Sequence, residues 1–249
     1  MIKLGRTILN GTPRIAVAFR DKVRAALIKD AKQLGLDVAE LRIDQYASFD
    51  SKYVLKEIAK FKGFPTIATI RSKKEGGGWT LSEQDRLRLF QNIMPKVDAV
   101  DIELSAQEIL SKVVKEAHAR KKLVVISSHN FDRTPNLETL DKITKEAKKK
   151  GGDIVKIATV ALKRSDIQTL ANFTVNNASK NLIVIAMGSI GMISRVFFPV
   201  LGSLMTYAYI GEPTASGQLD YTTAFDYLRR FYSSFNEEKI NSLKLLQNA

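Results

Sequence analysis

The chain has 249 residues, 45% of them hydrophobic, and 39 Lys+Arg against 26 Asp+Glu give it a formal net charge of +13. That length suits one closed α/β barrel, and the absence of cysteine excludes disulfides and thiolate chemistry and fits a reducing, cytoplasmic setting. The positive balance suits an anionic partner, but the basic residues recur at helical spacing, as at Lys142, Lys145, Lys148, Lys149 and Lys150, with no nucleic-acid-reading module beside them, so neither nucleic acid nor membrane is expected as a partner.

Short apolar runs alternate with amphipathic stretches along the whole chain. Met1 to Leu9 reads as a small hairpin arm, turned at Asn10 and Gly11, ahead of a first strand at Ile15 to Phe19. A helix over Asp21 to Leu34 closes at Gly35. The second strand, Val38 to Arg42, precedes a helix over Lys52 to Phe61, and the third, Thr66 to Ile70, leads through the loop E-G-G-G-W to a helix from Ser82 whose Asp85 fits a capping box. Strands at Ala99 to Leu104 and Lys122 to Ser127 flank a helix over Ala106 to Arg120. A helix over Leu137 to Lys150 then leads to strand six, Ile154 to Ala158. Arg164 to Ala178 is helical, Leu182 to Ala186 is strand seven, and a helix near Ser194 to Leu201 precedes strand eight, Met205 to Ile210. Helices over Tyr221 to Tyr232 and Glu237 to Leu246 follow. The apolar tract Leu182 to Ile210 is broken by Gly188, Gly191, Arg195, Pro199 and Gly202 before a membrane span of ~20 residues is reached. The N-terminus lacks the apolar core of a signal peptide.

Eight strands, each followed by a helix and with no linker between them, predict a single (β/α)8 barrel domain over 1–249, residues 1–11 forming the arm. Its site is then expected at the carboxyl ends of the strands. Lys156 lies among Ile154, Val155, Ile157 and Ala158. Such surroundings disfavour the ammonium form, lower the pKa and turn the amine into a nucleophile able to form a Schiff base; alternatively the stem lies along apolar surface and the head reaches water. Glu40 and Arg42 end strand two on one face, Arg71 ends strand three with Glu75 in the loop behind it, and Asp101 and Glu103 alternate on strand four. Glu40 with Arg42, or Glu103 with a nearby arginine, also fits an ordinary buried ion pair. His129 follows V-V-I-S-S on the strand neighbouring Lys156, where an imidazole can shuttle protons, whereas His118 reads as a surface residue. Arg195 stands at a strand-to-helix junction and can grip a carboxylate, and the loop from Gly211 to Asp220 resembles a lid. With two histidines and no cysteine, no metal site is expected.

These residues fall into a pattern that resembles the type I 3-dehydroquinate dehydratase family, Schiff-base enzymes on an aldolase-like barrel. E-L-R at 40–42, P-T-I-A-T-I-R at 65–71, K-E-G-G at 74–77, S-H-N-F at 128–131, D-I-V-K-I-A at 153–158, M-G-S at 187–189, S-R at 194–195 and G-Q at 217–218 occur in the family's order and spacing. The resemblance implies dehydration of 3-dehydroquinate to 3-dehydroshikimate in the shikimate pathway, without a cofactor, by a homodimer. It makes Lys156 the Schiff-base lysine, His129 the general base and acid, and Glu75 its carboxylate partner. Arg195, Gln218 and Thr214 fall on the substrate-carboxylate positions, and Glu40, Arg42 and Arg71 on those that hold the ring hydroxyls. Thr214 stands where many relatives have serine, and Ala18 where some do. The main alternative is a Schiff-base aldolase of a sugar phosphate, for which G-S-I-G at 188–191 would be the phosphate loop; a basic binding protein without catalysis is a third class.

Overall fold

The computed structural model describes residues 1–213 and 215–247, with side chains up to residue 241. An antiparallel hairpin, β1 (Lys3–Leu4) and β2 (Thr7–Ile8), precedes eight parallel strands: β3 (Ile15–Phe19), β4 (Val38–Arg42), β5 (Thr66–Thr69), β6 (Ala99–Glu103), β7 (Leu123–Asn130), β8 (Ile154–Val160), β9 (Leu182–Met187) and β10 (Thr206–Tyr209). From β3 to β9 each pairs with its successor in the chain, with helix-length connections between parallel neighbours. β10 returns to β3, and the ring closes where Leu182 bridges Ser203 and the Leu204 amide donates to the Leu182 carbonyl at 2.8 Å. Above this closure a two-residue strand, β11 (Leu219–Asp220), pairs with the upper part of β10. The last two residues of the segment that was read as a lid are therefore built into the seam of the barrel.

The surrounding helices are α1 (Ala25–Gln33), α2 (Ser51–Ala59), α3 (Glu83–Ile93), α4 (Leu110–Ala119), α5 (Leu137–Lys149), α6 (Arg164–Asn176), the single turn α7 (Ser194–Phe197), α8 (Tyr221–Phe231) and α9 (Ser233–Gln247). Asp50, Ser82, Asn136 and Asp220 cap α2, α3, α5 and α8 through their side chains. Gly35, at φ +77°, ends α1 while the Leu36 amide reaches back to the Ala31 carbonyl. None of the described helices is long and apolar enough to cross a membrane.

Several boundaries differ from the sequence reading for local reasons. The hairpin reverses at Gly5–Arg6, not at Asn10–Gly11, because Asn10 is occupied in accepting from the Ile2 amide. α1 begins four residues late: Lys22 has φ +57°, and Asp21 accepts instead from the Ala47 amide and the Tyr53 hydroxyl. α4 starts at Leu110 after a turn, and α9 starts at Ser233. β7 runs three residues past Ser127, because Ser128, His129 and Asn130 keep pairing with Ile157, Ala158 and Thr159 of the long strand β8.

Alternation along the strands divides the core in two. Val17, Ala39, Leu41, Ala68, Val100, Ile126, Val155 and Ile157 point outward against the helices. Ala16, Val38, Ile67, Ala99, Val125 and Ile154 point inward and meet Ile2, Leu4 and Leu9 of the arm, which plugs the amino end of the barrel with hydrocarbon. Ligands therefore have access to the lumen from the opposite, carboxyl end.

Candidate active site

The inward positions change from apolar to charged about halfway along the strands. Counting in steps of two from the apolar floor leads to Glu40 on β4, Thr69 and then Arg71 on β5, Asp101 and Glu103 on β6, Ser127 and His129 on β7, and Lys156 on β8. Lys156 is 5% exposed, and its Nζ lies 3.3 Å from Glu40 Oε1 and 3.2 Å from Asp101 Oδ2. Thr69 Oγ1 donates to the same oxygen of Glu40 at 2.6 Å.

This corrects the expected lysine chemistry. Burial pushes the Lys156 pKa down, as anticipated, but the charges of Glu40 and Asp101 push it up by more, and the amine is held above its ordinary range. Near 3.2 Å each carboxylate offers a gross attraction of roughly 5 kcal/mol at an effective dielectric of about 20, enough for two together to outweigh desolvation. Resting Lys156 is a buried ammonium.

A second set of charges holds that arrangement. Arg71 donates to Asp101 Oδ1 and to Ser127 Oγ, both at 2.7 Å, and lies 3.2 Å from Glu103 Oε1. Ser127 also donates to Asp101 Oδ1 at 2.7 Å. Burial would raise the Asp101 pKa, but Arg71 and then Lys156 override it and keep the carboxyl ionised well below its usual range. Glu103 is gripped from behind by Arg86 of α3, which is wholly buried. The satisfied-ion-pair reading thus applies to Glu103. It does not apply to Glu40 with Arg42, since Arg42 binds Asp44 through two bonds of 3.0 and 2.8 Å. A side chain at Gly77 would put its Cβ 2.1 Å from the Arg71 carbonyl oxygen, and one at Gly78 would meet Asp44 O at 2.4 Å. Those glycines let the loop fold against the strand ends, and Glu75 is carried inward by it.

Glu75 Oε2 accepts from the His129 backbone amide at 2.9 Å and lies 2.8 Å from Nδ1 of the same residue. Two bonds to one oxygen fix the ring, and Nε2 is left for the cavity. Burial lowers the His129 pKa, Arg71 and Lys156 lower it further, and Glu75 only partly restores it. The resting imidazole is neutral and able to accept a proton. Phe131 stacks on the ring at 6.3 Å between centroids, over Gly76, where a Cβ would lie 2.7 Å from the Phe131 ring.

A cavity of about 110 Å3 joins Lys156, His129, Glu75, Glu40, Arg42 and Arg71. Arg195, Tyr207, Ala18, Ala215 and Gln218 line it as well. Arg195 is 3% exposed, its Nε has no hydrogen-bond partner, and it has no carboxylate partner among the described residues. Burial pulls its pKa down to about 10. A buried guanidinium in that condition has the donors to grip an anion. Gln218 Oε1 accepts from the Ala215 amide at 3.1 Å. Thr214 lies outside the described residues. A larger hollow of about 730 Å3, between the hairpin and α2 at the amino end of the barrel, contains none of these groups.

A model of the family described as "Type I 3-dehydroquinase" matches residues 16–234 of the chain.

The chain belongs to the type I 3-dehydroquinase family.

The 3-dehydroquinate dehydratase of Methanococcoides burtonii is 35% identical over 223 residues, which make up 88% of this chain and 94% of that relative. The crystal structure of the enzyme from Aquifex aeolicus VF5 superposes with a TM-score of 0.79 at 33% identity, covering 88% of this chain and 99% of that one. The type I enzyme of Clostridium difficile, solved with covalent modified comenic acid, reaches 0.84 at 28% identity over 93% of this chain and 97% of that one.

The family resemblance read from the motifs and the barrel fold both hold. The Gly188–Gly191 turn is accounted for by packing, since a Cβ on Gly191 would meet the Ala186 carbonyl oxygen at 2.4 Å and one on Gly217 would meet Gly188 O at 2.3 Å. Tyr207, Phe131 and Asp44 were not singled out from the sequence, and Asp101 was noted without a role. Strict alternation from Met205 would have pointed Tyr207 inward; nothing local marks Asp44 or Phe131.

Proposed function

We propose that this chain dehydrates 3-dehydroquinate to 3-dehydroshikimate through an imine on Lys156, as a hydro-lyase of the shikimate pathway acting without metal or cofactor. The observation that carries the reading is the shared cavity: an amine held by two carboxylates, a neutral imidazole oriented by a third, and a buried guanidinium without an anion. Arg195, with Gln218 and Thr214, takes the substrate carboxylate, while Glu40, Arg42 and Arg71 hold ring hydroxyls. Lys156 loses a proton, bonds to C3 and expels the ketone oxygen as water. The iminium acidifies C2, His129 removes a proton there, and the resulting enamine expels the C1 hydroxyl, which leaves as water with that proton. Hydrolysis of the imine releases product and restores the lysine. Ala18 presents only a methyl group, so the chain works without the serine contact of some relatives.

Incubation with 3-dehydroquinate is expected to produce the ultraviolet absorbance of a conjugated enone. Borohydride added during turnover should leave a substrate- or product-mass adduct on the Lys156 peptide. Absence of both, with an adduct appearing instead from a sugar phosphate, would overturn the reading.

We propose further that the chain acts as one barrel domain within a cytoplasmic homodimer. Ile193, Phe197 and Val200 are exposed around α7, and Phe231 is exposed on the adjacent α8, an apolar set suited to a second copy. Light scattering at micromolar concentration should return twice the chain mass; the mass of one chain would exclude the dimer.

A further inference from the structure

Tyr207 enters the lumen because β10 alternates, with Thr206 and Ala208 on the other parity, and its ring forms part of the inner apolar cluster. The residue is 4% exposed, and its hydroxyl is buried without a hydrogen-bond partner. Leaving such a group unsatisfied costs about 1–3 kcal/mol, a cost that phenylalanine would avoid. The ring lies under the lysine, with Lys156 Nζ 4.2 Å from its centroid, a cation–π contact that aims the nitrogen along the ring face. Burial, and next the charge of Glu40, keep the phenol protonated against the opposing pull of Lys156, whose nitrogen sits over the ring and not at hydrogen-bond distance from the hydroxyl, so it is a donor and not a base. The same cavity holds the orphaned Nε of Arg195 and the acceptor Glu40, which, like Asp101 beneath it, is already engaged with Lys156.

On the dehydratase reading, we infer that the Tyr207 hydroxyl is a catalytic group of imine formation, donating a hydrogen bond to the oxygen at C3 as Lys156 attacks. His129 first takes one proton from the ammonium. The nitrogen lone pair then forms the N–C3 bond, and the π pair of the ketone moves onto oxygen, where Tyr207 receives it. That oxygen acquires a second proton from the nitrogen, giving the carbinolamine. As the nitrogen pair forms C=N, the C3–O bond breaks, and the oxygen leaves as water with the proton held by His129. Tyr207 keeps its own proton throughout, as an oxyanion donor does.

Tyr207→Phe removes one oxygen and retains the ring beneath Nζ. The single-turnover rate of imine trapping by borohydride and kcat should both fall at least about tenfold, toward the ~10²–10³ typical of losing one oxyanion donor. KM should change by less than about threefold, since the contact strengthens only as the oxygen gains charge. The adduct should still map to Lys156, and the unfolding midpoint should hold or rise because a buried unsatisfied hydroxyl has gone. Trapping at the wild-type rate, or a defect confined to KM as for a carboxylate contact, overturns this assignment while leaving the dehydratase reading intact. A wild-type chain that yields no adduct at all overturns both.

Discussion

Lys156→Met is expected to lower turnover by about 10⁴-fold or more, the scale of losing a covalent nucleophile, and to abolish the borohydride adduct. It should also destabilise the fold in a pH-dependent way. Methionine fills much the same volume but leaves Glu40 and Asp101 buried at the carboxyl end without the cation that now lies 3.3 and 3.2 Å from them. Removing one partner of a buried ion pair costs about 3–5 kcal/mol, on the order of 10 °C in unfolding midpoint for a chain of this size. The direction with pH follows from the carboxylates. Without the ammonium the folded Asp101 pKa, held down by Arg71 and then Lys156, moves up toward its unfolded value, so the variant has less carboxylate-linked stability to lose as pH falls. The deficit of the variant against the parent should therefore narrow as pH falls through the carboxylate range. A variant as stable as the parent at neutral pH, or one whose deficit widens on acidification, would show that the carboxylates are not held by Lys156.

His129→Gln is expected to lower kcat by about 10²–10⁴, the usual worth of a positioned acid and base, and to slow imine trapping on Lys156 as well, because the ring takes the ammonium proton before it takes the one at C2. Trapping at the parent rate would confine His129 to the C2 proton. In the parent, burial, Arg71 and Lys156 hold the His129 pKa below its ordinary value of 6.5. On the proposed mechanism the base is the neutral ring, so the acid limb of kcat/KM should fall below that value. Glu75→Gln removes the one charge that stabilises the imidazolium through a direct bond of 2.8 Å. The limb should then move to still lower pH, and kcat should fall because the protonated ring is less readily formed for the return of the proton. A limb that moves upward would exclude this pairing.

The barrel was legible because its pattern is local. Runs such as I-A-V-A-F and L-I-V-I-A-M are short, β-branched or small, and separated by amphipathic stretches of helix length, a pattern that only parallel strands with outer helices accommodate. The candidate catalytic pair was legible for the same reason. A lysine in an apolar strand and a histidine on the strand before it are neighbours in any such ring, and pairing in register puts Ser127 beside Lys156 and His129 beside Ala158. The family motifs then assigned roles that spacing could not. Boundaries were misread where a side chain far along the chain captured a turn, as Asp21 does by bonding to Ala47 and Tyr53.

The sequence by itself determined the strand-and-helix alternation, the family, and the inward parity of Glu40, Asp101 and Lys156. Only the tertiary structure decided the charge state of the nucleophile. Its neighbours in sequence, Val155 and Ile157, suggest a desolvated neutral amine, but a strand turns adjacent side chains to opposite faces, and those two pack outward against the helices. The groups that do touch Nζ, Asp101 and Glu40, lie 55 and 116 residues away and arrive on other strands when the ring closes. Tyr207 arrives from the last strand of the ring in the same way. A pKa is set by what surrounds a group in space, and in a closed barrel those surroundings are assembled from strands remote in sequence.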